Sequence, residues 1–185
     1  AETLLLHGAE DIVRARHFLQ MSAAPAAQKQ VMRARLEAMI GLTETTHCRT
    51  RTLLACFGED LGDECGHCDN CRTRPTSLDG TLDAQKLLSA VYRTGQRFGA
   101  LHVIAVLRGE KTDAVRNRGH DRLPVFGLGA DRSVEHWRAV LRQLIALGAL
   151  DMRIEERFAT LVLVPGRARP ILRGEEAVHL RAPPR

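Results

Sequence analysis

Apolar residues recur at helical spacing through most of the chain, with two stretches where the period is lost. Leu4-Leu5-Leu6 reads as a short buried strand. Glu10 to Leu19 follows as a helix, with Ile12, Val13, Arg16 and Leu19 near one face. A lone strand and helix do not make a domain, so this opening reads as the tail of one. Ser22 to Ala27 is a linker. From Gln28 to Leu42 a helix carries a stripe of Val31, Leu36, Met39 and Ile40, ended by Gly41. Thr45 or Thr46 can cap the next helix, which holds Leu53, Leu54 and Phe57 and stops at Gly58. Two helices in tandem predict an antiparallel hairpin. Residues 59–76 have no period, and Pro75 to Gly80 is a second linker.

Beyond that linker the period returns. Asp83 can cap a helix running through Leu87, Leu88, Val91 and Tyr92 to about Gly95. Ala100 to Leu107 is a second helix stopped by Gly109, and Thr112 to Arg118 a short third. Ser133 caps a fourth, to about Leu147, on which Val134, Trp137, Leu141 and Leu144 face a core and Glu135, Arg138 and Arg142 the other side. Leu150 to Ile154 and Thr160 to Val164 then alternate as two strands around a tight turn at Glu155-Glu156, closed by Pro165. The expected class is α+β, mainly helical. A run of helices followed by a small hairpin is the order of a winged helix-turn-helix.

Charge divides the chain as the pattern does. Lys and Arg total 27 against 22 Asp and Glu, net +5. Residues 1–76 are net −1 and residues 77–185 net +6, so the second half carries the electropositive surface and a polyanion is its expected partner class. Arg outnumbers Lys 24 to 3, and Arg forks suit bidentate phosphate contacts. No apolar run approaches the roughly 20 residues of a membrane helix. No GxxxxGK[ST] loop occurs, so this chain alone is not expected to bind and split a nucleoside triphosphate. The absence of an initiator Met and of a basic-then-apolar leader points to a piece of something longer, with nothing to mark it as secreted.

Four of the five cysteines lie in the frame C-x16-C-x2-C-x2-C: Cys48, Cys65, Cys68 and Cys71. Two residues between thiolates let one turn present both sulfurs to a single ion, and Cys48 on a helix can close the tetrahedron. Four sulfurs leave no open position, so the expected ion is one structural Zn²⁺ per chain, ordering a segment too poor in apolar residues to order itself. Disulfides are disfavoured because nothing indicates an oxidising compartment. An iron–sulfur cluster is the serious rival, although no Cys-Pro follows Cys71 at the ferredoxin spacing. Cys56 reads as a small core residue, and His47 and His67 as neighbours of the ion rather than ligands.

Cys48-Arg-Thr-Arg-Thr-Leu-Leu-Ala-Cys-Phe-Gly-Glu59 followed by Cys65-Gly-His-Cys68-Asp-Asn-Cys71 resembles the zinc-binding segment of RecQ-family DNA helicases. Gln96-Arg-Phe-Gly99, Leu107-Arg-Gly109, Gly119-His-Asp121, Phe126-Gly-Leu-Gly129, Glu135-His-Trp137, Arg142-Gln-Leu-Ile145 and Arg169-Pro-Ile-Leu-Arg-Gly174 resemble the same family's winged-helix domain. The resemblance divides the chain into residues 1–20, the tail of the second motor lobe; 21–76, a four-cysteine zinc-binding helical hairpin and knuckle; 77–176, a winged-helix DNA-binding domain; and 177–185, a linker onward. It departs from the family's pattern at Cys56, where an aromatic is usual, and at Ala130, where a basic residue is frequent. Larger relatives carry an aromatic strand-separating pin at the wing tip. Here Phe158 reads as core rather than pin.

What the resemblance implies is a parent enzyme that unwinds DNA 3′→5′ in repair and recombination, with ATP and Mg²⁺ held in motor domains outside this chain. This chain would supply the zinc scaffold and hold double-stranded or forked DNA without reading sequence, as a monomer in the bacterial cytoplasm, associated with the nucleoid. Phosphate contacts are expected from Arg108, Lys111, Arg116, Arg132, Ser133, Arg138, Arg142, Arg153 and Arg157. They lie around the Ser133 helix start, whose free N–H groups make a phosphate seat, and around the wing turn. Two other readings stand beside this one: a protein-interaction module docking single-strand-binding protein, and a sequence-specific zinc-containing DNA-binding regulator.

Overall fold

The computed structural model describes residues 5–155 and 158–181. The chain divides into two compact units: the described residues up to Leu78 together with Arg181, and Asp79–Leu180. The architecture is α+β and mainly helical.

The first unit is helical and thinly cored. Helix α1 (Ala9–Met21) starts at Gly8, whose N–H donates to Asp11 Oδ2 at 2.8 Å. It packs on α2 (Ala26–Glu44) through buried Ile12, Val13 and Ile40. Arg16, read above as part of the apolar face, instead forms a two-pronged ion pair with Glu37, at 2.9 and 2.8 Å. Several other expectations fail here. Residues 5–8 form no strand, and Leu5 and Leu6 are exposed. Gly41 does not end α2, because a glycine still makes its backbone hydrogen bonds when its neighbours hold helical geometry. Of the predicted stripe only Ile40 is buried. Helix α3 (Arg49–Ala55) is capped by neither threonine but by Cys48, whose Sγ accepts the Arg51 N–H at 3.4 Å. Phe57 and Cys56 are exposed, so Cys56 is not a core residue. The four-residue helix α4 (Asp69–Arg72) follows.

Among the described residues, the second unit holds nearly all of the buried apolar positions. Strand β1 (Ser77–Asp79) leads into α5 (Thr81–Arg93), which starts three residues earlier than a cap at Asp83 predicts, with Asp79 receiving the Thr81 N–H. Helix α6 (Ala100–Arg108) ends at Gly109 with φ +73°, a left-handed stop that costs a glycine nothing. Then come α7 (Asp113–Arg116), capped by Thr112, a single 3-10 turn (His120–Arg122), and α8 (Val134–Ala146), capped by Ser133. Leu87, Leu88 and Val91 of α5, Val103, Val106 and Leu107 of α6, and Trp137, Leu141 and Leu144 of α8 interlock as one core, whereas Tyr92 is exposed.

Strands β2 (Leu150–Glu155) and β3 (Phe158–Leu163) form an antiparallel hairpin with Leu150 opposite Leu163. The outer edge of β3 is not left bare. Leu161 N–H donates to the Phe98 carbonyl at 2.9 Å and Leu163 N–H to Gln96 Oε1 at 2.8 Å. Gln96 adopts φ +56°, a conformation that costs a side-chain-bearing residue roughly 1–2 kcal/mol. Its side-chain bond to β3 and its own N–H on the Val91 carbonyl hold it there. Pro165 does not merely close the hairpin. It opens an unforeseen helix, α9 (Pro165–Arg173), at the first position, where a missing N–H is harmless. Strand β4 (His179–Arg181) pairs with β1. Glu156, Arg157 and the Phe158 side chain, on which the core-or-pin reading turns, lie outside the described residues.

Candidate metal centre and nucleic-acid interface

The sulfurs of Cys48, Cys65, Cys68 and Cys71 all lie within 4.8 Å of one another. Each is presented by a different local device. Cys48 is buried at the start of α3. Cys65 precedes Gly66, whose φ of +73° turns the chain back on itself. Cys68 caps α4 and Cys71 sits one turn along it. Backbone N–H groups point at the sulfurs: Arg51 and Cys65 at Cys48, both 3.4 Å, and Cys68 at Cys65, 3.3 Å. These donors favour thiolates.

A hydrogen bond from the Thr50 side chain draws the Cys65 thiol down to about 5, whereas burial, then the neighbouring Cys68, Cys48 and Cys65 sulfurs, pushes Cys71 up to about 12. Four thiolates this close cannot all ionise alone, and a divalent cation removes that conflict. Zn–S bonds of about 2.3 Å in a tetrahedron imply sulfurs roughly 3.8 Å apart. The Cys65 and Cys71 sulfurs are 3.9 Å apart. A multi-iron cluster would distribute its sulfurs over separate irons and hold them further apart. The residues therefore fit one four-sulfur zinc, a structural ion with no open position. His47 is exposed, and the exposed His67 turns its ring toward the Cys65 carbonyl at 2.7 Å, so neither completes the cluster.

One residue has no signal in the sequence. Asn70, between Cys68 and Cys71, is 3% exposed and uses its whole amide. Its Nδ2 donates to the Thr45 carbonyl at 2.8 Å and the His47 carbonyl at 2.7 Å, and its Oδ1 accepts from Arg181 at 3.2 Å. Adjacent Asp69 receives Arg49 Nε at 2.6 Å, which holds its carboxyl below the usual range. No local pattern announces such a residue, because its partners lie 23 to 111 positions away.

In the second unit the expected phosphate-contacting residues differ in how free they are. Lys111, Arg138 and Arg153 are exposed. Arg116 is exposed and pairs with Asp113 at 3.1 Å. Arg142 is half-buried. Arg108 is committed inward: Nε meets Glu110 at 2.7 Å and Nη1 donates to the Arg132 carbonyl. Arg132 is exposed and faces Asp131 at 3.6 Å and Asp83 at 3.9 Å. Asp83 is not a cap. It also receives His136 Nε2 at 2.8 Å and so ties α5 to the first turn of α8.

The start of α8 is not an empty seat. Ser133 Oγ accepts the His136 N–H at 3.1 Å. The Glu135 carboxyl accepts its own backbone N–H and the Ser133 hydroxyl, which hold it low along with Arg138 and Arg108. A carboxylate thus occupies donors that the sequence reading leaves for a phosphate. Arg157 lies outside the described residues. Arg97 is exposed, and Trp137 is fully buried, its Nε1 donating to the Gly129 carbonyl at 2.9 Å.

Comparison with known proteins bears on both regions. The family model described as RecQ zinc-binding matches residues 9–72, and the RQC domain model matches residues 74–185. The chain belongs to the RecQ family. It is 41% identical over 167 residues to the ATP-dependent DNA helicase RecQ of Pasteurella multocida, covering 90% of this chain and 26% of that protein. It is 45% identical over 156 residues to the Haemophilus influenzae protein of the same name, covering 84% and 25%, and 33% identical over 178 residues to that of Bacillus subtilis, covering 96% and 30%. The chain therefore spans about a quarter to a third of the length of these RecQ relatives. Within the RecQ frame, the convergent thiols are the zinc-binding region and the core of α5, α6 and α8 with its hairpin is the RQC winged helix. Among the described residues no helix is long and apolar enough to cross a membrane.

Proposed function

We propose that this chain is the zinc-braced, DNA-holding part of a RecQ helicase, gripping duplex or forked DNA through its backbone without reading sequence. The observation that carries this reading is the set of exposed cations on the second unit. Lys111 and Arg116 flank the α6–α7 turn, Arg132 precedes α8, Arg138 lies on it, and Arg153 stands on the wing strand. Their chemistry is that of phosphate contacts, which position a duplex rather than select bases. The four thiols would hold zinc, which supplies a fixed crosslink and no reaction. ATP-driven 3′→5′ unwinding, with its ATP and Mg²⁺, belongs in this reading to other domains of the parent, acting in repair and recombination on nucleoid DNA in the bacterial cytoplasm.

Fluorescence anisotropy with a forked duplex over a salt series tests it. Log K should fall linearly with log salt, and neutralising Lys111, Arg138 or Arg153 singly should flatten the slope by about one unit each. Unrelated duplex sequences should bind alike. Salt-independent binding sinks the reading, and a strong preference for one sequence favours a regulator instead.

A second reading, docking of single-strand-binding protein, is favoured by a cavity of about 220 Å³ beside α9. Leu147, Ala149, Ile171, Ala177 and Val178 line it together with Arg167, His179 and Glu176, and Glu176 pairs with Arg167 at 3.5 Å. Such a site suits a segment with an apolar residue for the cavity and a carboxylate that replaces Glu176 on Arg167. Arg167→Ala should weaken capture of single-strand-binding protein and leave duplex affinity unchanged. Equal capture by both proteins removes this reading.

A further inference from the structure

The metal knuckle is tied to a residue far from it in sequence. Asp69 and Asn70, the two residues between Cys68 and Cys71, open α4, and both flanking sulfurs belong to the four-sulfur cluster. From that helix Asn70 reaches in three directions. Its amide hydrogens fix the Thr45 and His47 carbonyls, on the turn that delivers Cys48. Its oxygen receives Arg181 Nη2 at 3.2 Å, and the same Nη2 lies 3.8 Å from Asp69 Oδ2. Asp69 also binds Arg49, the residue after Cys48. Arg181 is the last residue of β4, and its side chain is 23% exposed. One buried amide thus meets the Cys48 turn, the Cys68–Cys71 helix and the end of β4. Its orientation is unambiguous, because both donors and the acceptor are used.

We propose that Asn70 and Arg181 couple the metal to the end of β4: the ion that fixes α4 also fixes the chain at Arg181, and Arg181 in turn slows loss of the ion. This rests on the zinc reading above. Coupling between two sites is reciprocal in free energy, so a link that lets the ion order the strand must let the strand hold the ion. Partners that orient metal ligands from behind typically change metal affinity about 10- to 100-fold when removed.

The test uses the whole chain. Zinc content is measured first, and then the rate at which zinc passes to a chromogenic chelator. Arg181→Ala should release zinc about tenfold faster or more. Arg181→Lys, which keeps the charge and loses the fork, should fall between. Arg74→Ala, which removes only the exposed ion pair with Glu64, should match wild type. Chelation of wild type should also raise hydrogen exchange at Arg181 while the α8 amides stay protected. A chain that binds no zinc overturns the zinc reading and this link with it. A zinc-loaded chain whose Arg181→Ala variant releases the ion at the wild-type rate, or whose Arg181 amide stays protected after chelation, overturns the link alone.

Discussion

Gly129 has no room for a side chain. A Cβ built there would meet Trp137 Cζ2 at 2.3 Å, and the indole cannot retreat, being fully buried and bonded to the Gly129 carbonyl. Gly129 N–H also holds the Leu107 carbonyl at 2.8 Å, which locks the Phe126–Gly129 loop to the end of α6. Gly129→Ala should therefore lose about 1–3 kcal/mol of stability. Chemical denaturation followed through the fluorescence of this single tryptophan reads that loss, and an unchanged midpoint would contradict the packing. At this scale the sequence is only partly informative. Trp137 is legible as core from its place on a periodic helix. The need for glycine at 129 is not, because the clashing atom lies eight residues away across a loop. Cys48, Cys65, Cys68 and Cys71 are legible because two-residue spacing is itself a geometric constraint. Asn70 and Asp83 are not, because a buried amide or carboxylate is defined by partners that the local sequence does not name.

Between elements, α6 and the 3-10 turn meet through a ring pair. His102 Nε2 and His120 Nδ1 are 2.8 Å apart, Phe98 stacks on His102 with centroids 4.3 Å apart, and the Arg118 guanidinium lies 5.1 Å over the Phe98 ring. One proton serves that bond, and two would break it. Burial, then the nearby His120 and Arg118, pulls His102 down to about 4 from its usual 6.5, and His120 is lowered as well. A lowered histidine means that the unfolded chain binds more protons than the folded one between those two values. Folding stability should then decline as pH drops from about 6.5 to about 4, and be unaffected by this group above 6.5. His102→Gln should flatten that part of the profile, measured as urea midpoints against pH. A variant with the wild-type slope would rule out this source. Helical periodicity places α6 and α8 correctly, but α9 is hidden by its two prolines, one of which sits at a helix start where proline is favoured.

Across the whole molecule the two units differ in what holds them. Among the described residues only Ile12, Val13, Ile40 and Cys48 are buried apolar positions of the first unit, whereas 26 others lie in the second. A core that small rarely stabilises a chain segment without a staple, and the four thiols provide one. Chelation should abolish the unfolding transition of the first unit and leave that of the second in place, seen by calorimetry with and without chelator. Undiminished helicity and two unchanged transitions would show that the ion is dispensable. The sequence by itself determined the helical periods, the cysteine frame and the concentration of positive charge in the second half, since each depends only on the order of residues along the chain. Only the tertiary structure decided which cations stay free and which turn inward, that a glutamate occupies the start of α8, and that the knuckle holds Arg181. Those outcomes depend on distances between residues far apart in the chain, and a linear pattern carries no information about them.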